Sequence, residues 1–380
     1  NEYLYNEPNA VSASYFMPTD RVVVGEVIGP NGELVADHEN LEPENLDPDN
    51  PLHAFYEREK DLAQLGKFDD DNPRVMDYVV NAYLQWIDQG AAAFRVDTLR
   101  HKPHDFWKEF VDRIHAEYPD FFMYGESYKW DVDFLAEHTK PEHGGMSLLD
   151  FPAQASLTQV FEDSDSDYAD IVEYLHIEDS PYQNPYELVT FFENHDIRRF
   201  DGDNQAFINA NNWLFTSRGI PSIYYGSEIA FMPGTKEHEG NRNYLGKEGI
   251  AKAKTHPVAK SLSRIAHIRQ ESVALQKGLQ ANLELGGHTA SFLRVYQDDE
   301  QAQTALVLLN KGDADASISV DRWLNTGDWR DARTGEQFAV SAASSNLTLG
   351  VPANGVRVLL FDGAVNNPDL AQRLDQLQQR

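Results

Sequence analysis

The chain has 380 residues, 41% of them hydrophobic and 11% aromatic, with a formal net charge of −30. That is enough apolar content for packed cores in about two or three domains, and it excludes a disordered acidic polymer. So negative a surface repels nucleic acid and anionic membranes and favours a neutral or cationic partner; with no cysteine, disulfide frameworks, thiolate zinc sites and cysteine nucleophiles are excluded as well.

No apolar run approaches the roughly 20 residues that span a bilayer, and no secretory leader is visible. The first residue, Asn1, reads as the mark of a processed or partial product. The acidity suits a secreted or periplasmic protein, in a saline environment if the charge is taken at face value.

Residues 1–72 read as loop with a few short strands, and the stretch from Asn40 to Pro51 is dense in turn formers. Val75 to Ile87 then has helical spacing, closed by Gly90. Ala91 to Val96 is an apolar strand interrupted by Arg95 and ending at Asp97. Pro103 opens a helix that sets Phe106, Phe110, Val111 and Ile114 on one face. Phe121 to Tyr124 is the next strand and leads into Gly125-Glu126, followed by strands at Met146 to Phe151, Leu188 to Phe192 and Ile220 to Tyr225. Apolar strands alternating with helices predict a parallel sheet. Acidic or polar residues at the strand ends narrow this to a (β/α) barrel, whose catalytic groups gather at that rim.

A long helix over about Pro257 to Gln276 closes this region, residues 73–277. Short alternating strands at 291–296, 304–309, 316–320 and 356–361 then predict a C-terminal antiparallel β-sandwich domain over 278–363, with a tail helix over 364–380.

Three strand ends carry the chemistry: Phe94-Arg95-Val96-Asp97, Tyr124-Gly125-Glu126 and Phe192-Glu193-Asn194-His195-Asp196. A retaining glycosidase needs a carboxylate nucleophile and a carboxylic acid about 5–5.5 Å apart. Arg95, two residues before Asp97, points to the same side of the strand and can keep it charged. Glu126, among Phe122, Tyr124, Tyr128 and Trp130, suits an acid kept protonated by partial desolvation. Taken singly, each of these acids is more often a turn or cap residue; their order at successive strand ends is what points to a site. Asp69-Asp70-Asp71 reads as a solvated acidic loop, and Asn346-Leu347-Thr348 is a glycosylation sequon by pattern alone.

From about Asp61 to Phe361 the chain closely resembles the α-amylase family of glycoside hydrolases. The match rests on Phe94-Arg95-Val96-Asp97 followed by Arg100-His101, on Gly125-Glu126 and on Phe192 to Asp196, with Met146 to Phe151 and Gly219 to Glu228 similar to its sixth and eighth strands. The resemblance implies Asp97 as nucleophile, Glu126 as acid/base and Asp196 as transition-state stabiliser. It further implies Arg95 and His195 at the cleaved sugar, and Arg100, His101 and the aromatic Tyr128 on the leaving-group side. The substrate implied is an α-1,4-glucan such as starch, glycogen or a maltooligosaccharide.

Three departures shape the remaining expectations. The family's first three barrel strands are not recognisable, so the chain is expected to begin inside the inserted loop-rich domain and to hold strands four to eight of a (β/α)8 barrel. Five strands cannot close a barrel and would leave exposed edges, and a second polypeptide is expected to carry the other three. At the family's calcium site the carbonyl of His101 remains, but Gln64 stands where many relatives have an aspartate, which weakens the site for a hard cation; whether calcium binds stays open. The back half is most similar to the cyclodextrin glucanotransferase branch. Lys60 replaces an aromatic of those transferases, Thr98 replaces a small alanine, and their starch-binding domain is not found, so hydrolysis is expected, with transglycosylation the alternative. A non-catalytic glucan-binding subunit and a metal hydrolase using Glu193, His195 and Asp196 are competing readings. The intact carboxylate trio argues against the first, and the absence of a suitably spaced second histidine against the other.

Overall fold

The computed structural model describes residues 27–28, 31–36, 43–47, 49–58, 68–70, 72–236, 240–341 and 346–378. The chain divides into two compact units, Asn1–Leu149 and Asp150–Arg380. Most of the region read as loop-rich lies outside the described residues, Lys60 and Gln64 among them. Within it, β1 (Val27–Ile28) and β2 (Leu34–Ala36) pair antiparallel, and a helix spans Pro51–Arg58.

In the first unit the helix Pro73–Asp88 starts where its sequence can satisfy the free amides. The Asn72 side chain accepts from the Arg74 amide, and proline occupies the first turn. It buries Val75, Met76, Val80 and Ile87, each contributing about 2 kcal/mol by area removed from water. Gly90, at φ +101°, ends it. A parallel sheet follows, of β3 (Ala93–Val96), β4 (Phe122–Gly125) and β5 (Ser147–Leu148) in that order. The register is Ala93↔Phe122 through Val96↔Gly125, then Tyr124↔Ser147 and Gly125↔Leu148. Helix His104–Glu117 links β3 to β4 and buries Phe110, Val111 and Ile114, three of the four residues expected on that face.

In the second unit β6 (Val189–Thr190) and β7 (Ile220–Pro221) are parallel, joined through helix Asn204–Thr216. The parallel strands are shorter than the apolar runs that announced them, because a ladder needs a neighbour at each residue. Two-residue pairing at β5 and β6 leaves the flanking Met146, Leu149, Leu188, Phe191 and Phe192 buried but unladdered, while the residues after β7 are partly open. The long helix expected over 257–276 is two, Pro257–Gln270 and Val273–Lys277. Ser272 breaks it by accepting from the Leu275 amide and capping the second.

Strands β8 (Leu279–Gly286), β9 (Thr289–Gln297), β10 (Ala302–Asn310), β12 (Gly327–Asp331), β13 (Gln337–Val340) and β15 (Gly355–Asp362) form one antiparallel sheet, ordered β13-β12-β15-β10-β9-β8. β11 (Ala316–Val320) pairs with β14 (Leu347–Val351). The simple alternation expected of this region fails in the centre of the sheet, for a physical reason. On β10, Ala305, Val307 and Leu309 face one apolar cluster with Trp213 and Phe292, while Leu306 and Leu308 face another with Trp329 and Leu359. A strand covered on both faces reads as a continuous apolar run. The last helix, Pro368–Gln378, packs Leu370 and Leu377 into the second cluster.

Candidate active site

In the first unit two strand ends are tied backbone to backbone. The Glu126 amide donates to the Val96 carbonyl and the Leu99 amide donates to the Glu126 carbonyl, each at 2.7 Å. Asp97 therefore sits in a turn held between two bonds from the neighbouring strand end. Thr98, which makes that turn, lies at φ 50°, a conformation costly for a β-branched side chain. Gly125 permits the approach: a Cβ there would stand 2.4 Å from Leu99 Cδ2.

The expected side-by-side placement of Arg95 and Asp97 is found, with Arg95 Nη1 donating to Asp97 Oδ1 at 2.7 Å. The second guanidinium nitrogen lies 3.5 Å from Glu126 Oε1. One cation thus faces both carboxylates. They differ in exposure: 66% of the Asp97 side chain is open, whereas Glu126 is 5% exposed. An open carboxylate is accessible for attack, and a shielded one is suited to exchanging a proton away from bulk water.

Arg100, expected along the leaving-group side, is buried. Its Nη1 donates to the Tyr128 carbonyl at 3.1 Å, and its guanidinium lies over the Phe134 ring. It can act on that side through the backbone that carries Tyr128, whose ring packs edge-on against Trp130 with centroids 4.9 Å apart. His101 closes the short 3-10 turn Leu99–His101. Next to it, Lys102 places its ammonium 2.6 Å from Asp70 Oδ1 and 3.4 Å from the Phe68 carbonyl. In the stretch expected as a solvated acidic loop and N-cap region, Asp70 is thus held by a lysine. Of the residues expected around a calcium ion, His101 is described and Gln64 lies outside the described residues. Among the described residues no group of three or more acidic or histidine side chains is arranged to hold a metal.

In the second unit, Asn194 shapes the end of the strand that carries His195 and Asp196. Its Oδ1 accepts from the amides of Asp196 at 2.8 Å and Ile197 at 3.1 Å, an Asx turn that turns the chain out of the sheet. His195 Nε2 lies 2.9 Å from Asp196 Oδ2. The other oxygen, Oδ1, accepts from Arg242 Nη2 at 2.5 Å, and Arg242 Nε donates to the His195 carbonyl at 2.9 Å. The buried amide of Asn241 donates to the carbonyls of His195 and Ile197, at 2.8 and 2.7 Å. Asn241 and Arg242 were missed by sequence reasoning. They lie in a polar loop without periodicity, and no local pattern connects that loop to His195.

Glu193 points the other way. It is buried and accepts from the Phe200 amide at 2.7 Å and from Ser227 Oγ at 2.5 Å, with Arg199 Nη1 at 3.3 Å. Burial pushes its carboxyl up, against the pull of these partners. A group so engaged braces the loop and is not free to bind a metal, which removes the metal-hydrolase reading.

The family model for the α-amylase catalytic domain matches residues 8–271. A cyclomaltodextrin glucanotransferase of Niallia circulans is 27% identical over 316 residues, 82% of this chain and 40% of that protein. One from Bacillus sp. (strain 38-2) is 29% identical over 302 residues, covering 76% of this chain and 41% of that protein. The chain thus spans about two-fifths of the length of these curated relatives. Among solved structures, the α-amylase of Geobacillus thermoleovorans, complexed with acarbose, has a TM-score of 0.68 at 24% identity, covering 78% of this chain and 66% of that one. A cyclomaltodextrin glucanotransferase with a three-domain distribution has a TM-score of 0.67 at 23% identity, covering 88% and 70%. The fold is accordingly that of the α-amylase-type (β/α)8 barrel with a C-terminal antiparallel β sheet.

Proposed function

Because the chain belongs to the α-amylase family, we propose that it is a retaining glycosidase cleaving α-1,4-glucosidic bonds in starch-type glucans. The observation that carries this reading is the Arg95 guanidinium, set 2.7 Å from Asp97 and 3.5 Å from Glu126 on strand ends joined by backbone bonds. In the first step Asp97 attacks the anomeric carbon while Glu126 gives its proton to the departing glycosidic oxygen, leaving a glycosyl ester on Asp97. In the second, ionised Glu126 takes a proton from water, which attacks the anomeric carbon and releases Asp97. Asp196, paired with His195 and Arg242, stabilises the oxocarbenium-like transition state through sugar hydroxyls. Tyr128 provides a ring for the leaving-group sugar. The five parallel strands among the described residues need further strands to close a barrel, and polypeptide carrying them, on this protein or a second one, belongs to this reading. So does secretion, for which the net charge of −30 is the support in this chain.

Transglycosylation is the second reading, favoured by the curated relatives, which are cyclomaltodextrin glucanotransferases. Domain number does not separate the two, since a three-domain transferase shares the fold. Product analysis from starch and from cyclodextrins, beside Asp97→Asn and Glu126→Gln controls, tests both. Linear maltooligosaccharides from either substrate indicate hydrolysis and cyclic products indicate transfer. Unchanged turnover in either variant removes the assignment.

A further inference from the structure

Arg242 holds Asp196 from a loop that has little structure of its own. Residues 240–243 lie outside any helix or strand, Gly240 sits at φ +111°, and the Arg242 side chain is 56% exposed. An arginine so placed has many rotamers to lose when it binds a carboxylate, unless its backbone is fixed beforehand. The fixing groups come from just past β7. Tyr225 Oη donates to the Asn243 carbonyl at 2.6 Å, and Tyr224 Oη donates to the Asn241 carbonyl at 3.1 Å. The two phenols thus take the carbonyls on either side of Arg242. Tyrosine suits this task, because its hydroxyl rides on a rigid ring with few rotatable bonds.

The rings are themselves held from the protein interior. Arg199 is fully buried, and its guanidinium carbon lies 4.3 Å from the centre of the Tyr224 ring, 4.9 Å from that of Tyr225 and 5.4 Å from that of Phe231. Nη1 donates to the Tyr225 carbonyl at 2.8 Å and lies 3.3 Å from Glu193 Oε1. Nε and Nη2 have no hydrogen-bond partner; the electron-rich faces of the rings stand in for one. The contacts close on themselves within the second unit. Glu193 holds Arg199, Arg199 holds both tyrosines, the tyrosines hold the loop, and Arg242 returns to Asp196.

We propose that Tyr225 is a positioning residue for the reaction, an inference that rests on the glycosidase reading above. With Tyr224 it fixes the backbone on both sides of Arg242, and so holds Asp196 in the orientation that stabilises the transition state. Tyr225→Phe removes the hydroxyl and keeps the ring on Arg199. On maltooligosaccharides this variant of the full chain is expected to lose about fivefold in kcat with KM unchanged. In an Arg242→Ala background the same change should cost nothing further, because the group that it positions is gone. Hydrogen–deuterium exchange gives a readout that needs no turnover. Amides of residues 240–246 should exchange about fivefold faster in Tyr225→Phe, while those of the C-terminal sheet keep the parent's rates. Parent rates at 240–246 overturn the proposal, and so does a parent-like kcat or an undiminished loss in the Arg242→Ala background. A parent chain inert on maltooligosaccharides removes the glycosidase reading instead, and the exchange result still decides whether Tyr225 fixes the loop.

Discussion

Arg242 reaches back 46 residues to bond Asp196, with Nη2 2.5 Å from Oδ1. The same side chain donates to the His195 carbonyl, so one guanidinium fixes both the carboxylate and the backbone that presents it. More than half of the Arg242 side chain is exposed (56%), and the bond is discounted for solvent.

Removing it should therefore cost about tenfold in kcat/KM, or ~1.4 kcal/mol. Arg242→Ala is expected to show this on maltooligosaccharides, with Arg242→Lys recovering part of the loss. Steady-state kinetics decide the matter; wild-type kcat/KM in the alanine variant would mean that Asp196 is oriented by other groups.

Gly125→Ala should be damaging out of proportion to one methyl group. The new Cβ would meet Leu99 Cδ2 at 2.4 Å, and Leu99, 1% exposed, has no room to yield. Overpacking of this kind costs about 1–3 kcal/mol. The clash falls between the two strand ends that carry Asp97 and Glu126, so activity should drop by more than the loss of folded protein explains. Thermal melts alongside assays on the folded fraction check this.

Acid should weaken the first unit through His138. Burial first, then the charges of His104, His143 and Arg100, lower its pKa to about 3, and it is 3% exposed. Unfolded, the ring titrates near 6.5. Between those values the unfolded chain binds a proton that the folded one refuses, so stability present above pH 6.5 is lost as pH falls toward 3. The slope approaches about 1.4 kcal/mol per pH unit. Urea melts from pH 7 to 4 should become less steep in pH for His138→Gln; a parallel curve for that variant would exclude His138 as the source.

Chelation should leave the protein unmoved. Lys102 sits on Asp70 and the Phe68 carbonyl, in a pair whose side chains are only 15% and 23% exposed. Lys102→Ala should cost about 1–2 kcal/mol, more than a surface pair, because both side chains are partly buried. EDTA is expected to shift the melting temperature by less than about 1 °C. A large drop on chelation, reversed by calcium, would show that a metal holds this region after all.

The sequence by itself determined the parallel strands, their order and the strand ends that bear Asp97, Glu126 and His195-Asp196, because apolar runs, helix caps and the period of side chains are local properties. Arg95 and Asp97 could be placed on one side for the same reason: two residues along a strand return to the same face. Their exposure and partners were a tertiary matter. Nothing local told that Arg95 would also face Glu126, that a buried Arg100 would bond the Tyr128 carbonyl, or that Lys102 would reach Asp70 and the Phe68 carbonyl. The centre of the C-terminal sheet was misread as alternating because being covered on one face or both depends on what packs there, as the two clusters on either side of β10 show. Arg242 is the clearest case: its bond to Asp196 joins a polar loop to a strand end 46 residues away, and only folding brings the two together.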